Sequence, residues 1–114
     1  KRILLHRRPE KGVLRGMWEF PALEGKLSQD DALRQALRMV EPYGLFVHKI
    51  APLRDAKHIF THIEWQMSAW LLSATADSLP ETQAALPEDF SLVQRLADIP
   101  LPSAFKAYRT VFGE

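Results

Sequence analysis

Four basic side chains surround a short loop near the start of the chain, and they are of the type that binds phosphate. Arg7, Arg8, Lys11 and Arg15 flank a stretch that contains two glycines. Guanidinium groups pair well with phosphate oxygens, and a glycine-containing loop lets backbone N–H groups approach them. These four residues are therefore candidates for contact with a nucleic-acid backbone. A solvated basic loop remains an equally acceptable interpretation.

The histidines do not form a pattern typical of a metal site. His58 and His62 are four residues apart, and we predict that both lie on a strand, where four residues span about 13 Å. At that distance two imidazoles cannot share one ion. The chain also lacks a nucleophile elbow, a P-loop and a glycine-rich dinucleotide motif. We therefore assign no catalytic residue and no metal ligand, and we expect the chain itself to be non-catalytic.

The segments that must hold these side chains in place include two helical patterns. Ser28 is a candidate N-cap, and apolar residues at helical spacing predict a helix over residues 29–40. Residues 103–112 predict a terminal helix, and Leu92–Leu96 predicts a helical turn or two. Residues 75–89 are polar and irregular, and we assign them to a connection.

The remaining apolar segments predict strands. Two strands are expected at residues 1–8 and 17–20, and a long hairpin is expected with arms Leu45–Leu53 and His58–Ala74 around residues 54–57. The element order favours an α+β fold in which helices pack on a mixed β-sheet.

Alternation along the second arm of the hairpin assigns its side chains to two faces. The face that we expect in the core carries Ile59, Thr61, Ile63, Trp65, Met67, Ala69 and Leu71. Strict alternation therefore buries Thr61 and places His62 on the opposite face. Thr61 reaches solvent only if the strand begins later and residues 58–62 form a loop.

Length and composition indicate one domain over residues 1–114. The chain has 46% hydrophobic and 25% charged residues and no cysteine, which is typical of a globular domain and excludes disulfides and thiolate metal sites within it. No apolar run approaches the roughly 20 residues that span a bilayer, and the first residues do not resemble a secretory signal. We expect a cytoplasmic, monomeric fragment of a longer chain that does not bind membranes.

The charges are unevenly distributed. Residues 1–16 hold six bases against one acid, and residues 77–98 hold five acids against one base. A basic end with an acidic far side is the distribution expected of a module that faces a polyanion.

Three segments resemble a known family. They are Leu4–Pro21 (LLHRRPEKGVLRGMWEFP), His58–His62 (HIFTH) and Leu101–Phe105 (LPSAF). Together they resemble a Nudix-type domain and, more narrowly, the Nudix-like C-terminal domain of MutY-type A/G-specific adenine DNA glycosylases. The resemblance implies a Nudix-like fold.

The chain departs from a working Nudix hydrolase. Such enzymes hold Mg²⁺ with a glutamate-rich signature on the helix after the W-E-F-P strand. Aligned on Gly44, this chain keeps Glu41 but has Arg38 and Pro42 at two signature glutamate positions. A cation and a proline cannot ligate a hard cation that requires several oxygen ligands. The sequence therefore favours a Nudix-like fold without hydrolase chemistry.

The narrower resemblance implies recognition of 8-oxoguanine opposite adenine in double-stranded DNA. It assigns lesion contact to Phe60, Thr61 and His62, and we add Arg7, Arg8, Lys11 and Arg15 as possible backbone contacts. Excision of the adenine would belong to a separate N-terminal catalytic domain, which would also hold an iron–sulfur cluster. No cofactor is implied for this chain.

Two alternative functions stay open at this point. The first alternative to lesion recognition is a Nudix hydrolase of oxidised nucleoside triphosphates, against which Arg38 and Pro42 argue. The second alternative is a Nudix-like scaffold that binds protein.

Overall fold

The computed structural model describes residues 2–113 and confirms an α+β fold. Within that range the strands are β1 (Ile3–Arg7), β2 (Trp18–Glu19), β3 (Leu45–Ile59), β4 (Glu64–Ala76) and β5 (Phe90–Val93). The helices are α1 (Gln29–Val40), α2 (Leu79–Ala85) and α3 (Lys106–Arg109), and short 3-10 turns span Glu41–Tyr43, Leu96–Asp98, Ser103–Phe105 and Thr110–Phe112. None of the described helices combines the length and the apolar character needed to cross a membrane.

The strands form two sheets, and their pairings are antiparallel. One sheet has the order β2-β1-β5, in which Leu5 lies opposite Ser91 and His6 lies opposite Glu19. The other sheet is the β3–β4 hairpin. Because β5 lies directly beside β1, the acidic segment runs next to the basic one. The expectation of an acidic far side is therefore wrong.

Helix α1 confirms the prediction for residues 29–40. The Ser28 hydroxyl accepts a hydrogen bond from the Asp31 N–H at 3.2 Å, which caps the first turn. The helix ends at Val40, and after a 3-10 turn Gly44 adopts a left-handed conformation with φ of 75°.

The hairpin turn is displaced from its predicted position. Strand β3 runs through residues 54–57 to Ile59, with only a register shift between Leu53 and Ala56. The chain turns at residues 60–63 instead, where the Phe60 N–H donates to the Ile63 carbonyl at 2.7 Å. Ile59 and Ile63, which we predicted in the core, are 67% and 47% exposed.

In the second half of the chain the prediction for Leu92–Leu96 is wrong, and the connection at residues 75–89, for which the sequence predicts no secondary structure, is partly helical. Leu92–Leu96 was predicted as a helical turn, but residues 90–93 form β5 and pair with β1. Residues 75–89 contain helix α2, whose N-cap Ser78 accepts a hydrogen bond from the Glu81 N–H at 3.3 Å.

The terminal helical segment, residues 103–112, joins the two sheets. The Phe105 ring lies 6.3 Å from Phe20, just after β2, and 6.1 Å from Trp65 in β4. Phe105 and Tyr108 are buried, and Leu5 and Leu96 are fully enclosed. The segment is helical as predicted, although it is divided into 3-10, α and 3-10 parts. The core thus fixes the β3–β4 hairpin relative to β1 and β2.

Candidate nucleic-acid interface

The hairpin turn (residues 60–63) carries the three residues that sequence reasoning assigned to lesion contact. Because β3 ends at Ile59 and β4 begins at Glu64, Thr61 lies in the turn and not on a strand. The structure thus places Thr61 and His62 in solvent, whereas Phe60 is half-buried. This arrangement resolves the question of whether Thr61 faces the core.

Phe60 anchors the hairpin turn through its ring. The ring lies 4.8 Å from His58 and 5.0 Å from Trp65, in edge-to-face geometry with both. Aromatic pairs of this kind contribute about 0.5–1.5 kcal/mol each beyond the area that they bury. The turn is therefore held at its base while its outer two side chains project.

The basic loop (residues 8–17) connects β1 to β2 and has a defined backbone. The Gly16 N–H donates to the Pro9 carbonyl at 2.9 Å, and the Met17 N–H donates to the Leu14 carbonyl at 3.1 Å. Gly16 adopts a φ of 68°, which favours glycine. Lys11 and Arg15 are exposed on this loop.

The two adjacent arginines at the start of the loop have different environments. Arg7 is exposed, and its guanidinium lies 5.9 Å from the centre of the Trp18 ring. The Arg8 side chain is only 13% exposed. Its Nε donates to the Val13 carbonyl at 3.0 Å, and its Nη1 donates to Glu19 Oε1 at 2.9 Å. Of the four predicted phosphate contacts, the structure therefore places Arg7, Lys11 and Arg15 at the surface and Arg8 in an internal network.

Sequence reasoning missed the charged cluster that surrounds Arg8. His6 Nδ1 lies 2.8 Å from Glu19 Oε2, and His6 Nε2 lies 3.0 Å from Asp89 Oδ2. Glu19 is 4% exposed, so its buried carboxylate needs the contacts with His6 and Arg8. One signal of this cluster was present in the sequence, because Glu19 is the only acid in the otherwise apolar second predicted strand. A cavity of about 310 Å³ beside the cluster is lined by His6, Arg7, Arg8, Pro9, Glu10 and Asp89.

A family model described as a NUDIX domain matches residues 1–110. Because the match covers nearly the whole chain, the chain belongs to the Nudix domain family. This finding confirms the broader of the two resemblances and the fold that it implies.

The residues present do not fit the magnesium site of Nudix hydrolases. Arg38 is exposed on α1, Glu41 begins the following 3-10 turn, and Pro42 comes next. In the part of the chain that the structure describes, no three His, Asp or Glu residues are grouped so that they could hold a metal ion. Arg38 and Pro42 thus stand where the sequence analysis expects two signature glutamates, and neither side chain can ligate a hard cation.

Proposed function

We propose that this chain is the lesion-recognition domain of a MutY-type adenine DNA glycosylase and binds 8-oxoguanine opposite adenine in double-stranded DNA. Its partner in this function is an N-terminal catalytic domain of the same protein, which carries the iron–sulfur cluster and removes the adenine after base flipping. The observation that carries the proposal is the exposed pair Thr61 and His62 on a turn anchored by Phe60.

The chemistry of the lesion explains why a hydroxyl would suit this position. Oxidation at C8 converts guanine N7 from an acceptor into an N–H donor and adds a carbonyl oxygen. The Thr61 hydroxyl can accept from that N–H. Since a hydroxyl can also donate to the N7 acceptor of unmodified guanine, a preference for the lesion requires that the Thr61 proton is donated to another acceptor. His62, which is also exposed, would donate to a phosphate or to the edge of the lesion. The threonine methyl restricts the rotamer and so orients the hydroxyl.

The exposed basic residues supply contacts with DNA that do not depend on its base sequence. Arg7 is exposed at the end of β1, and Lys11 and Arg15 are exposed on the basic loop. Such groups bind phosphates and set the position of the duplex without reading bases. Thr61 would then select the lesion within a duplex that the basic residues hold.

Binding to matched duplexes tests the proposal. One duplex carries 8-oxoguanine opposite adenine, and the control carries guanine in its place; amide NMR titration and affinity are measured with both. We expect the wild-type chain to prefer the lesion, with larger shifts at Phe60–His62. Thr61→Val, which keeps the shape but removes the hydroxyl, should lose about 1–3 kcal/mol of preference, or about 5- to 150-fold. Thr61→Ser should keep most of it.

Three results would contradict the proposal. Equal affinity of the wild-type chain for the two duplexes would show that this domain does not read the lesion. An unchanged preference in Thr61→Val would show that another group reads it. Magnesium-dependent release of pyrophosphate from an oxidised nucleoside triphosphate would instead support the hydrolase.

A further inference from the structure

Arg8 links the basic loop, in which it lies, to β4 beside the hairpin turn. Its Nε donates to the Val13 carbonyl within the basic loop at 3.0 Å. On the other side, its guanidinium carbon lies 4.9 Å from the centre of the Trp65 ring in β4. Trp65 in turn lies 5.0 Å from Phe60, which anchors the hairpin turn. A continuous chain of contacts therefore runs from the basic loop through Arg8 to the hairpin turn.

The orientation of Arg8 is fixed by a second set of contacts. Glu19 Oε1 accepts from its Nη1 at 2.9 Å, and Glu19 Oε2 lies 2.8 Å from the His6 ring. The other ring nitrogen of His6, Nε2, lies 3.0 Å from Asp89 Oδ2. The side chains of Arg8 and Glu19 are 13% and 5% exposed, so solvent screens this pair less than a surface pair. The guanidinium is consequently held at a carbonyl, a carboxylate and an aromatic face at once.

This geometry requires arginine and not merely a positive charge. A guanidinium is planar, presents several N–H donors in fixed directions and stacks on aromatic rings, whereas an ammonium is a compact point charge. Lysine at this position would keep the charge toward Glu19 but could not also serve the Val13 carbonyl and the Trp65 face.

We propose that Arg8 is a positioning residue that fixes the basic loop relative to the hairpin turn. When Lys11 and Arg15 engage phosphates, Thr61 is thereby set at the depth and angle at which it meets the lesion. This inference rests on the proposed function. Arg8 acts through these internal contacts and not on DNA, because its side chain is only 13% exposed and two of its N–H donors and one face are used inside the protein.

The first test needs no DNA. Amide hydrogen exchange is measured by NMR in Arg8→Lys, in the neighbouring control Arg7→Lys, and in Val40→Ala, which weakens the core at α1. Two reporters are the Phe60 N–H, which closes the hairpin turn, and the Gly16 N–H, which closes the basic loop. In Arg8→Lys both should exchange about tenfold faster than in wild type, relative to amides of the β3–β4 ladder. Arg7→Lys should leave both unchanged, and Val40→Ala should show no selective effect at them.

The second test uses the two duplexes. Arg8→Lys should reduce the preference for 8-oxoguanine over guanine while leaving the dependence of affinity on salt unchanged, because no phosphate contact is lost. The charge-removing variant Arg8→Gln should likewise leave the salt slope unchanged. If Arg8→Gln instead weakens both duplexes equally and lowers the salt slope by about 0.9, Arg8 is a phosphate contact and the inference is overturned.

The two inferences fail in distinguishable ways. If the wild-type chain shows no lesion preference, the proposed function fails, and the exchange experiment still decides whether Arg8 couples the two segments. If exchange at Phe60 and Gly16 is the same in Arg8→Lys and Arg7→Lys, the positioning role is overturned whatever the DNA results are.

Discussion

His6 lies on β1, the central strand of its sheet, and connects the two carboxylates of the charged cluster. Its two ring nitrogens face the carboxylates of Glu19 and Asp89 at 2.8 and 3.0 Å. His6→Ala would leave the buried Glu19 with Arg8 as its remaining charged partner and would remove the histidine partner of the Asp89 carboxylate. We expect a loss of about 1–3 kcal/mol in the free energy of unfolding, measured by urea denaturation.

His48 provides the matched control for this substitution. It is an exposed histidine on β3, so His48→Ala should change stability by less than about 0.5 kcal/mol. An equal loss in the two variants would show that the contacts of His6 add nothing beyond those of an ordinary strand residue.

Some residues of the candidate site could be recognised from the sequence alone, and others could not. The motif residues Phe60, Thr61 and His62 are contiguous, so they could be recognised as a set. The contact between His6 and Asp89 joins positions 83 residues apart, and no local pattern records it. Arg8 had the same type and neighbourhood as Arg7, and only the fold separates a buried network residue from an exposed one.

Among the helices and strands, local sequence signals predicted α1 correctly and placed the hairpin turn at the wrong residues. Ser28 and the helical spacing after it specify α1 without help from the rest of the chain. The polar run at residues 54–57 resembled a turn, yet β3 continues through it as a bulge between Leu53 and Ala56. The true turn at residues 60–63 contains no glycine, proline or asparagine, so turn chemistry did not mark it.

Tertiary contacts with the terminal helical segment support β3 at this bulge. The Tyr108 hydroxyl donates to the Arg54 carbonyl at 3.0 Å, and the Arg54 guanidinium donates to the Ala107 carbonyl at 3.2 Å. These bonds satisfy groups that the irregular register leaves outside the ladder. Strand β5 is a similar case, because its pairing with β1 overrides its weak local preference.

Because of Tyr108, the stability of the contact between the terminal helical segment and β3 depends on pH in the alkaline range. Burial raises the pKa of its hydroxyl above 10.0, the negative charge of Asp55 raises that pKa further, and Arg54 lowers it. The unfolded chain therefore loses this proton first as the pH rises. Since the folded state then binds more protons than the unfolded state, the free energy of unfolding falls above about pH 10.

Tyr108→Phe should remove that part of the alkaline loss. At neutral pH the variant should be less stable by about 1 kcal/mol, because the hydrogen bond to Arg54 is lost. Between about pH 9 and 11 its stability should fall less steeply than that of the wild type. Tyr43→Phe serves as the control and should retain the wild-type slope. Identical slopes for wild type and Tyr108→Phe, measured by denaturation across this range, would refute the assignment.

At the scale of the whole molecule, the antiparallel sheet brings opposite charges together instead of separating them. Because β5 pairs with β1, Asp89 is drawn to His6, and the backbone N–H of Arg7 donates to the Asp89 carbonyl at 2.7 Å. The acidic segment therefore runs beside β1 and brings the Asp89 carboxylate next to the basic region. The positive charge left for a partner is concentrated on Arg7, Lys11 and Arg15.

That remaining charge predicts how DNA affinity depends on salt. Lys11→Gln and Arg15→Gln should each lower the slope of log K against log salt by about 0.9, since each removes one phosphate contact. Both substitutions should weaken binding to the 8-oxoguanine duplex and to the guanine duplex by the same factor, because phosphate contacts carry no base information. Affinity is measured for both duplexes across a series of salt concentrations.

Arg95→Gln is the control for this series, because it removes one positive charge from the acidic segment. The Arg95 side chain is 73% exposed and lies 3.6 Å from Asp98, away from the basic loop in sequence. We expect its substitution to leave the slope unchanged. If it lowered the slope as much as Lys11→Gln, DNA would be responding to net charge and not to the basic loop. If Lys11→Gln changed the ratio between the two duplexes, the loop would read the lesion, and the division of labour between loop and hairpin turn would be wrong.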